Sequence, residues 1–224
     1  ILVQTNQETF RGKYLIGADG VHSTIAKQAG MIKDRSTSLA YEACLSRELD
    51  ANSSKNERIT FDFGTILGGY GWIFPKRDHL NVGVCRTWPG NKASKMLLLR
   101  FIDQHPDLHR ERIIDIRAYP VPLGGKKYNL HKNNILLVGD AANLADPWLG
   151  EGLFYAIYSG RLAADPILKH INGEIPDLAE YTERINTTVV KQFAYAKRFS
   201  LIVNTLPYIN VILLKSSKTL QDII

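Results

Sequence analysis

The chain has 224 residues, of which 45% are hydrophobic and 22% are charged. This composition excludes disordered and collagen-like proteins, and the length allows one or two globular domains. The formal charge of +6 allows an anionic ligand or membrane surface as a partner, but it is equally compatible with a soluble surface that binds neither. No nucleic-acid-binding motif occurs, so we expect no nucleic acid partner.

The cysteines and histidines predict no metal or redox motif. Cys44 and Cys85 lie far apart, which is typical of a reducing compartment, and we expect a cytoplasmic protein. His105 and His109 have the spacing of a helical metal pair, but Pro106 lies between them and no third ligand follows. We therefore expect no bound metal.

The first part of the chain predicts two kinds of structure in succession. Residues 1–20 indicate a β-hairpin and a further strand that ends at Leu15 and Ile16, and a short helix then stops at Gly30. From about residue 36 to 122, short strands rich in β-branched and aromatic residues follow, interrupted by the amphipathic stretch ASKMLLLRFIDQHP. This region is predicted to be a mostly antiparallel insertion.

The rest of the chain returns to the strand, turn and helix pattern. Residues 135–138, ILLV, are apolar at every position, which is typical of a strand buried on both faces in a parallel sheet. An almost uncharged helix follows, and after Pro166 the chain is predicted to be helical, with a break near Pro207. The pattern predicts an α/β (α+β) fold with three parts: residues 1–30 with 130–165, residues 31–129, and a C-terminal helical region at 166–224.

Asp140 stands directly after the predicted central strand. Ligands of open α/β sheets bind outside the carboxyl ends of the strands, where a carboxylate can accept hydrogen bonds from ligand hydroxyls. The alternative is a turn or N-cap aspartate. Pro147, Gly150 and Gly152 then shape the turn into the helix and leave room for a flat ligand, although small residues there also suit close helix–strand packing.

A second stretch, YLIGADGVHSTIAK, has the same order of features. An apolar strand is followed by a glycine, Asp19, Gly20 and a helix. Two strand-end aspartates on either side of an insertion are a stronger signal than one, and we expect Asp19 and Asp140 to converge on one crevice.

Aromatic residues alternate in the inserted region. Tyr70, Trp72 and Phe74 share one face of the predicted strand because side chains alternate along a strand. They are candidates for the wall of a pocket that binds a long apolar chain, or for an ordinary sheet core.

Three stretches together resemble one family. GADGVHSTIAK and LLVGDAANLADPWLGEGLFYAI resemble the two later cofactor motifs of flavoproteins of the para-hydroxybenzoate hydroxylase type, and GGYGWIFPKRDHLNVGVC resembles the Y-x-W-x-F-P signature of the geranylgeranyl reductase family. The resemblance implies an FAD-dependent oxidoreductase whose Rossmann-like cofactor domain is interrupted by a substrate domain. It also implies NAD(P)H as electron donor and reduction of carbon–carbon double bonds in an isoprenoid-like substrate.

The resemblance also implies roles for individual residues. Asp19 and Gly20 would lie near the FAD pyrophosphate, and Asp140 with Ala141 would bind its ribityl or phosphate part. The remaining residues implied for the cofactor border the flavin ring: Pro147, Gly150, Gly152 and Leu153. The residues expected at the substrate are Tyr70, Trp72, Phe74, Pro75 and Trp148, of which Trp148 departs from the family pattern because it is bulkier than the residue expected there. The catalytic proton donor is not identified.

The sequence departs from the family in its amino-terminal part. It contains no G-x-G-x-x-G loop, and it begins inside a strand pattern without Met. We therefore expect a fragment, or a chain completed by a missing N-terminal segment or a second chain. The alternatives are a monooxygenase or halogenase of the same fold and a non-catalytic binding module. The basic, apolar tail from residue 187 indicates either peripheral membrane contact or a packed helical lid.

Overall fold

A computed structural model describes residues 1–47, 58–88 and 92–205. The chain divides into two compact units. Unit 1 contains Ile1–Thr37 and Val121–Lys197, and unit 2 contains Ser38–Pro120 and Arg198–Ile224. The Ser38–Pro120 segment of unit 2 is inserted between the two pieces of unit 1.

The described residues form ten strands and five helices. The strands are β1 (Leu2–Gln4), β2 (Thr9–Arg11), β3 (Leu15–Gly17), β4 (Ser38–Ser46), β5 (Thr60–Asp62), β6 (Gly69–Pro75), β7 (His79–Arg86), β8 (Ile113–Val121), β9 (His131–Lys132) and β10 (Ile135–Leu137). The helices are α1 (Thr24–Ala29), α2 (Lys95–Asp103), α3 (Leu153–Ile171), α4 (Ala179–Thr187) and α5 (Val189–Thr205).

Unit 1 is built around a short mixed sheet in the order β3-β10-β9. The β3 and β10 strands are parallel, with Leu137 opposite Gly17, and β9 runs antiparallel to β10. The central strand is buried because helices pack beside it, and the Tyr181 hydroxyl of α4 donates a hydrogen bond of 2.6 Å to the Leu137 carbonyl. The core of this unit is formed by Ala26, Leu130, Leu136, Leu137, Val138, Ala142, Leu144, Ala163, Leu178, Tyr181, Ile185, Val189, Val190 and Phe193.

Unit 2 contains a five-stranded sheet in the order β5-β6-β7-β4-β8. The pairs β4–β7, β5–β6 and β6–β7 are antiparallel. The α2 helix contributes Leu98, Phe101 and Ile102 to a buried cluster with sheet residues such as Val82 and Val84. Phe101 fits directly against Gly71 of β6, so this glycine sets how closely the helix approaches the sheet.

The fold class expected from the sequence is confirmed: a mixed α/β chain with an inserted antiparallel sheet and C-terminal helices. The boundary expected at residue 166 falls inside α3, which continues through Pro166 to Ile171. The helix continues because Ala163 and Ile167, on either side of the proline, pack on the unit 1 core, and this packing outweighs the lost backbone hydrogen bond. The expected break near Pro207 lies outside the described residues.

Among the described residues, no helix is both long enough and apolar enough to cross a membrane.

Replacing Gly71 by Ala should destabilise unit 2. The new Cβ would lie 2.2 Å from Cε2 of Phe101, so the ring and α2 must shift, at a cost of about 1–3 kcal/mol. Gly64→Ala is the matched control, since no heavy atom of the described chain lies within 4 Å of its Cβ position. Chemical denaturation of both variants checks the prediction, and equal midpoints would contradict it.

Candidate cofactor site

The site lies where two neighbouring parallel strands end. Because Gly17 and Leu137 are register partners, Asp19 and Asp140 follow the same edge of the unit 1 sheet. Beyond β10 the chain enters a tight 3-10 turn, Gly139–Ala142. The Gly139 N–H donates to the buried Ser159 hydroxyl of α3 at 2.9 Å. This bond fixes the start of the turn against the helix and so positions Asp140.

Asp140 carries a half-buried carboxylate, and no donor of the described residues hydrogen-bonds to it. A Cβ at Gly152 would lie 3.1 Å from its Oδ1 atom, so only a glycine leaves free space beside the oxygen. Burial raises the pKa of the Asp140 carboxyl, and the positive charge of Arg35 opposes part of that rise. The Asp140 carboxylate is therefore a hydrogen-bond acceptor that receives no hydrogen bond from the described residues.

The Asp19 carboxylate, unlike that of Asp140, accepts hydrogen bonds from neighbouring residues. Its Oδ1 accepts from the Ser23 hydroxyl at 2.6 Å, and its Oδ2 accepts from the Ile25 backbone N–H at 3.1 Å. Burial alone would raise the pKa of the Asp19 carboxyl, but these hydrogen bonds outweigh it and lower the pKa. The carboxylate thus supports the start of α1, while Gly20 beside it adopts a left-handed conformation with φ 76°. The predicted role of both residues near a pyrophosphate stays a prediction.

The loop before α3 is organised by Asp146. Its Oδ1 accepts from the backbone N–H groups of Trp148 and Leu149 at 2.8 and 2.7 Å, and its carbonyl accepts from the Gly150 N–H at 2.8 Å. Gly150 has φ 69°, a conformation that a side chain disfavours. Asp146 therefore stabilises the turn that the sequence predicted from Pro147 and the two glycines.

The beginning of α3 carries its own acidic cap. The Phe154 N–H donates to the Glu151 carboxylate at 2.8 Å, so a negative charge stands at the positive end of the helix. Leu153 is 74% exposed, whereas Pro147 of the loop is buried. A ligand carbonyl at this helix end would compete with Glu151 for the N–H groups.

Arg35 is a residue of this site that the sequence did not indicate. Its guanidinium donates to the backbone carbonyls of Asp140 at 2.6 Å and Ala141 at 3.0 Å. Ala141 has a fully buried side chain, so its contribution to the edge of the site is this carbonyl. No motif contains Arg35, which precedes Asp140 by 105 residues in sequence.

Asn143 ties the turn to a neighbouring segment. It adopts a left-handed conformation with φ 61°, is 1% exposed and donates from Nδ2 to the Leu123 carbonyl at 2.7 Å. Two backbone hydrogen bonds, Gly124 N–H to the Ala145 carbonyl and Ala145 N–H to the Pro122 carbonyl, run beside it. The turn is therefore held on both sides, by Arg35 and by this ladder.

The predicted aromatic face lies in unit 2. The Tyr70 and Trp72 rings have centroids 5.9 Å apart, and the Trp72 and Phe74 centroids are 6.1 Å apart. Tyr70 and Trp72 are buried, while Phe74 and Pro75 are half-buried at the end of β6. Trp148 is half-buried and belongs to unit 1, so these five predicted substrate residues divide between the two units.

The structure adds two residues to the aromatic face. Phe61 is the cross-strand partner of Trp72 on β5, and its ring centroid is 5.2 Å from that of Phe74. Phe63 stacks on Phe61, and both are more than 40% exposed. Sequence reasoning did not single them out, although Ile59, Phe61 and Phe63 alternate with polar residues around the three-residue strand β5.

A polar network crosses the same face. The Trp72 indole N–H donates to the Asn81 side-chain oxygen at 2.7 Å, and the Asn81 amide donates to the Glu42 carboxylate at 3.0 Å. Trp72 also covers Gly83, whose Cβ would lie 2.0 Å from the indole. The indole is thus held in one orientation by both packing and hydrogen bonding.

Comparisons with known proteins agree with this architecture. Residues 2–60 match a family model described as an FAD binding domain. A digeranylgeranylglycerophospholipid reductase of Methanothrix thermoacetophila is 32% identical over 193 residues, which cover 80% of this chain and 47% of that protein. A geranylgeranyl bacteriochlorophyll reductase-like protein from Thermoplasma acidophilum has the same fold, with a TM-score of 0.69, 24% identity and coverage of 89% of this chain and 55% of that one.

A further solved structure shares the fold at lower similarity. It is a probable FAD-dependent monooxygenase from Pseudomonas aeruginosa, with a TM-score of 0.57, 13% identity and coverage of 89% of this chain and 57% of that one. Fold and matches together define the class as FAD-binding flavoproteins. Within that class, the chain is similar to proteins named as geranylgeranyl reductases, as its three motifs indicated. It spans about half the length of the curated relatives it matches.

The residues present fit part of FAD. The Asp140 carboxylate, without a hydrogen-bond partner among the described residues, suits ligand hydroxyl groups, and Gly152 leaves the space that a ligand needs beside it. The sequence contains no G-x-G-x-x-G loop for a pyrophosphate. The Asp140 carboxylate therefore suits the hydroxyl-bearing part of the cofactor, and its role there stays a prediction.

Replacing Asn143 by Ala should cost about 1–3 kcal/mol of unfolding free energy, because the buried Leu123 carbonyl loses its donor and Ala is strained at positive φ. Asn133→Ala is the matched control: Asn133 also has positive φ, 51°, but is exposed. Thermal unfolding of the two variants separates the buried hydrogen bond from the backbone strain. A loss no larger than that of Asn133→Ala would contradict the assignment.

Asp140→Asn should raise the thermal stability of the cofactor-free chain at neutral pH. The pKa of Asp140 is higher in the folded than in the unfolded chain, so its ionisation opposes folding once the pH exceeds the unfolded value of about 4. The gain should shrink as the pH falls and both states become protonated. Unfolding curves from acidic to neutral pH check this, with the exposed Glu183→Gln as control; a gain independent of pH would contradict it.

Proposed function

We propose that this chain carries the substrate side and part of the cofactor site of an FAD-dependent reductase that saturates carbon–carbon double bonds of an isoprenoid-like lipid. Bound FAD supplies hydride chemistry, with NADH or NADPH as the reductant and a proton completing the addition. The proposal rests above all on the half-buried Asp140 carboxylate, which has no hydrogen-bond partner among the described residues.

The residues of unit 1 would bind and orient the cofactor. Asp140 accepts hydrogen bonds from hydroxyl groups, and the Gly139–Ala142 turn holds that acceptor rigidly because Ser159 and Asn143 fix it from two sides. Gly150 and Gly152 keep the loop free of side chains where a flat ring needs close approach. Pro147 and Leu153 would border the ring, and Asp19 with Gly20 would stay near the phosphates.

The aromatic face of unit 2 would bind the apolar chain of the substrate. Tyr70 and Trp72 form its buried base, and Phe61, Phe63 and Phe74 present accessible rings. Planar rings suit an unsaturated hydrocarbon because they offer a large apolar surface at low entropic cost. Relatives named digeranylgeranylglycerophospholipid reductases support a lipid of this kind.

The test compares the complete gene product with this chain. We expect a flavin absorption spectrum from the complete protein, bleaching of that spectrum by NADH or NADPH without oxygen, and a product that gains two hydrogens for each reduced double bond of a geranylgeranylated phospholipid. Mass spectrometry measures the product. Oxygen consumption coupled to the substrate would instead identify a monooxygenase, and a complete protein without flavin would reject the enzyme proposal in favour of a binding module.

A variant separates substrate binding from cofactor binding. Phe61→Ala removes a ring that is 47% exposed, so it should raise KM for the lipid severalfold and leave the flavin spectrum unchanged. Phe10→Ala is the control, since Phe10 is 52% exposed on β2 of unit 1. Unchanged KM in Phe61→Ala would contradict the assignment of the aromatic face to the lipid.

A further inference from the structure

Arg35 lies in the segment that joins α1 to β4 and contacts the turn Gly139–Ala142. Its Nη1 and Nη2 atoms donate separately to the carbonyls of Asp140 and Ala141. These carbonyls belong to the 3-10 turn Gly139–Ala142, and the Asp140 carbonyl also accepts from the Asn143 N–H at 3.0 Å. Arginine suits this position because its planar fork supplies two donors at fixed geometry, which lysine cannot do.

The charge of Arg35 is directed at the acidic groups of the site. The groups that act electrostatically on it are Tyr128, Asp140 and Asp19. Asp19 already accepts hydrogen bonds from Ser23 and Ile25, so it needs no further stabilisation. Asp140 has none from the described residues, and Arg35 is the charged group that acts on it there.

The loss of this charge would change what Asp140 can do. Burial raises the pKa of the Asp140 carboxyl, and Arg35 limits the rise. An ionised carboxylate is only an acceptor, whereas a protonated one also donates and loses acceptor capacity. A positive charge beside Asp140 helps to keep the carboxylate ionised. It therefore favours a ligand whose hydroxyl groups donate hydrogen bonds.

We propose that Arg35 is a positioning residue of the cofactor site, which holds the Asp140 turn through two carbonyls and presents the Asp140 carboxylate as an acceptor for FAD hydroxyl groups. This role deepens the proposed function and rests on it. Arg35 acts through Asp140 rather than through the reacting atoms.

The experiment uses the complete gene product and measures FAD dissociation constants by fluorescence from about pH 5 to about pH 9. Arg35→Met removes the charge and both donors, and should weaken FAD binding by about tenfold to a hundredfold at neutral pH, with a larger loss at acidic pH. Arg35→Lys should weaken binding by a similar factor at every pH, because the charge remains and the fork is lost. Arg161→Met, an exposed arginine of α3, is the control and should change neither.

A second readout needs no cofactor. Thermal unfolding of this chain with Arg35→Met, Asp140→Asn and the double variant should show a coupling between the two sites that is present at neutral pH and disappears at acidic pH, where Asp140 is neutral in every state. If Arg35→Met does not fold, the pH profile of Arg35→Lys carries the test. The proposal would be overturned if the loss of FAD affinity at acidic pH occurs at a different pH in Arg35→Lys than in the wild type. It would also be overturned if that loss occurs at the wild-type pH in Arg35→Met.

The two proposals fail in different ways. Wild-type protein that binds no FAD rejects the proposed function and with it the cofactor role of Arg35, even where the thermal coupling is found. Wild-type protein that binds FAD, with a pH-independent or absent coupling between Arg35 and Asp140, rejects the role of Arg35 alone.

Discussion

The contact between Gly139 and α3 is the constraint on which the candidate cofactor site depends. The Gly139 N–H donates to the buried Ser159 hydroxyl, and Ala156 lies 3.0 Å from the position that a Cβ of Gly139 would occupy. A larger residue at 139 would push the helix away and move the turn that carries Asp140. The position of this acidic group is therefore set by protein contacts alone, which is the preorganisation that a binding site requires.

Much of this arrangement is readable from local sequence. The ILLV run identified the central strand because both of its faces are buried, and the Gly-Asp pair after it identified the strand end. The alternation of Tyr70, Trp72 and Phe74 identified one face of β6. These signals succeed because each depends on periodicity or on a glycine within a few residues.

The remaining contacts could not be read from the sequence because they join distant segments. Arg35 meets the turn across 105 residues, and the bond from Gly139 to Ser159 depends on how α3 packs against β10. Small residues of α3 also differ in their surroundings in a way that no sequence pattern reveals. Ala156 packs against the strand end, while Gly160 has no heavy atom of the described chain within 4 Å of its Cβ position. Tertiary packing determines which small residue contacts the strand, and local sequence propensity does not.

The raised pKa of Asp140 has a consequence for the life of the protein in the cell. An acceptor kept half-buried without partners among the described residues makes the empty fold less stable than it could be, whereas a ligand that binds only the folded chain adds stability by mass action. Cofactor supply would then act on protein abundance as well as on catalysis. In a flavin-starved cell, the empty chain would unfold more often and be degraded sooner, so the level of the protein would follow the riboflavin status of its host.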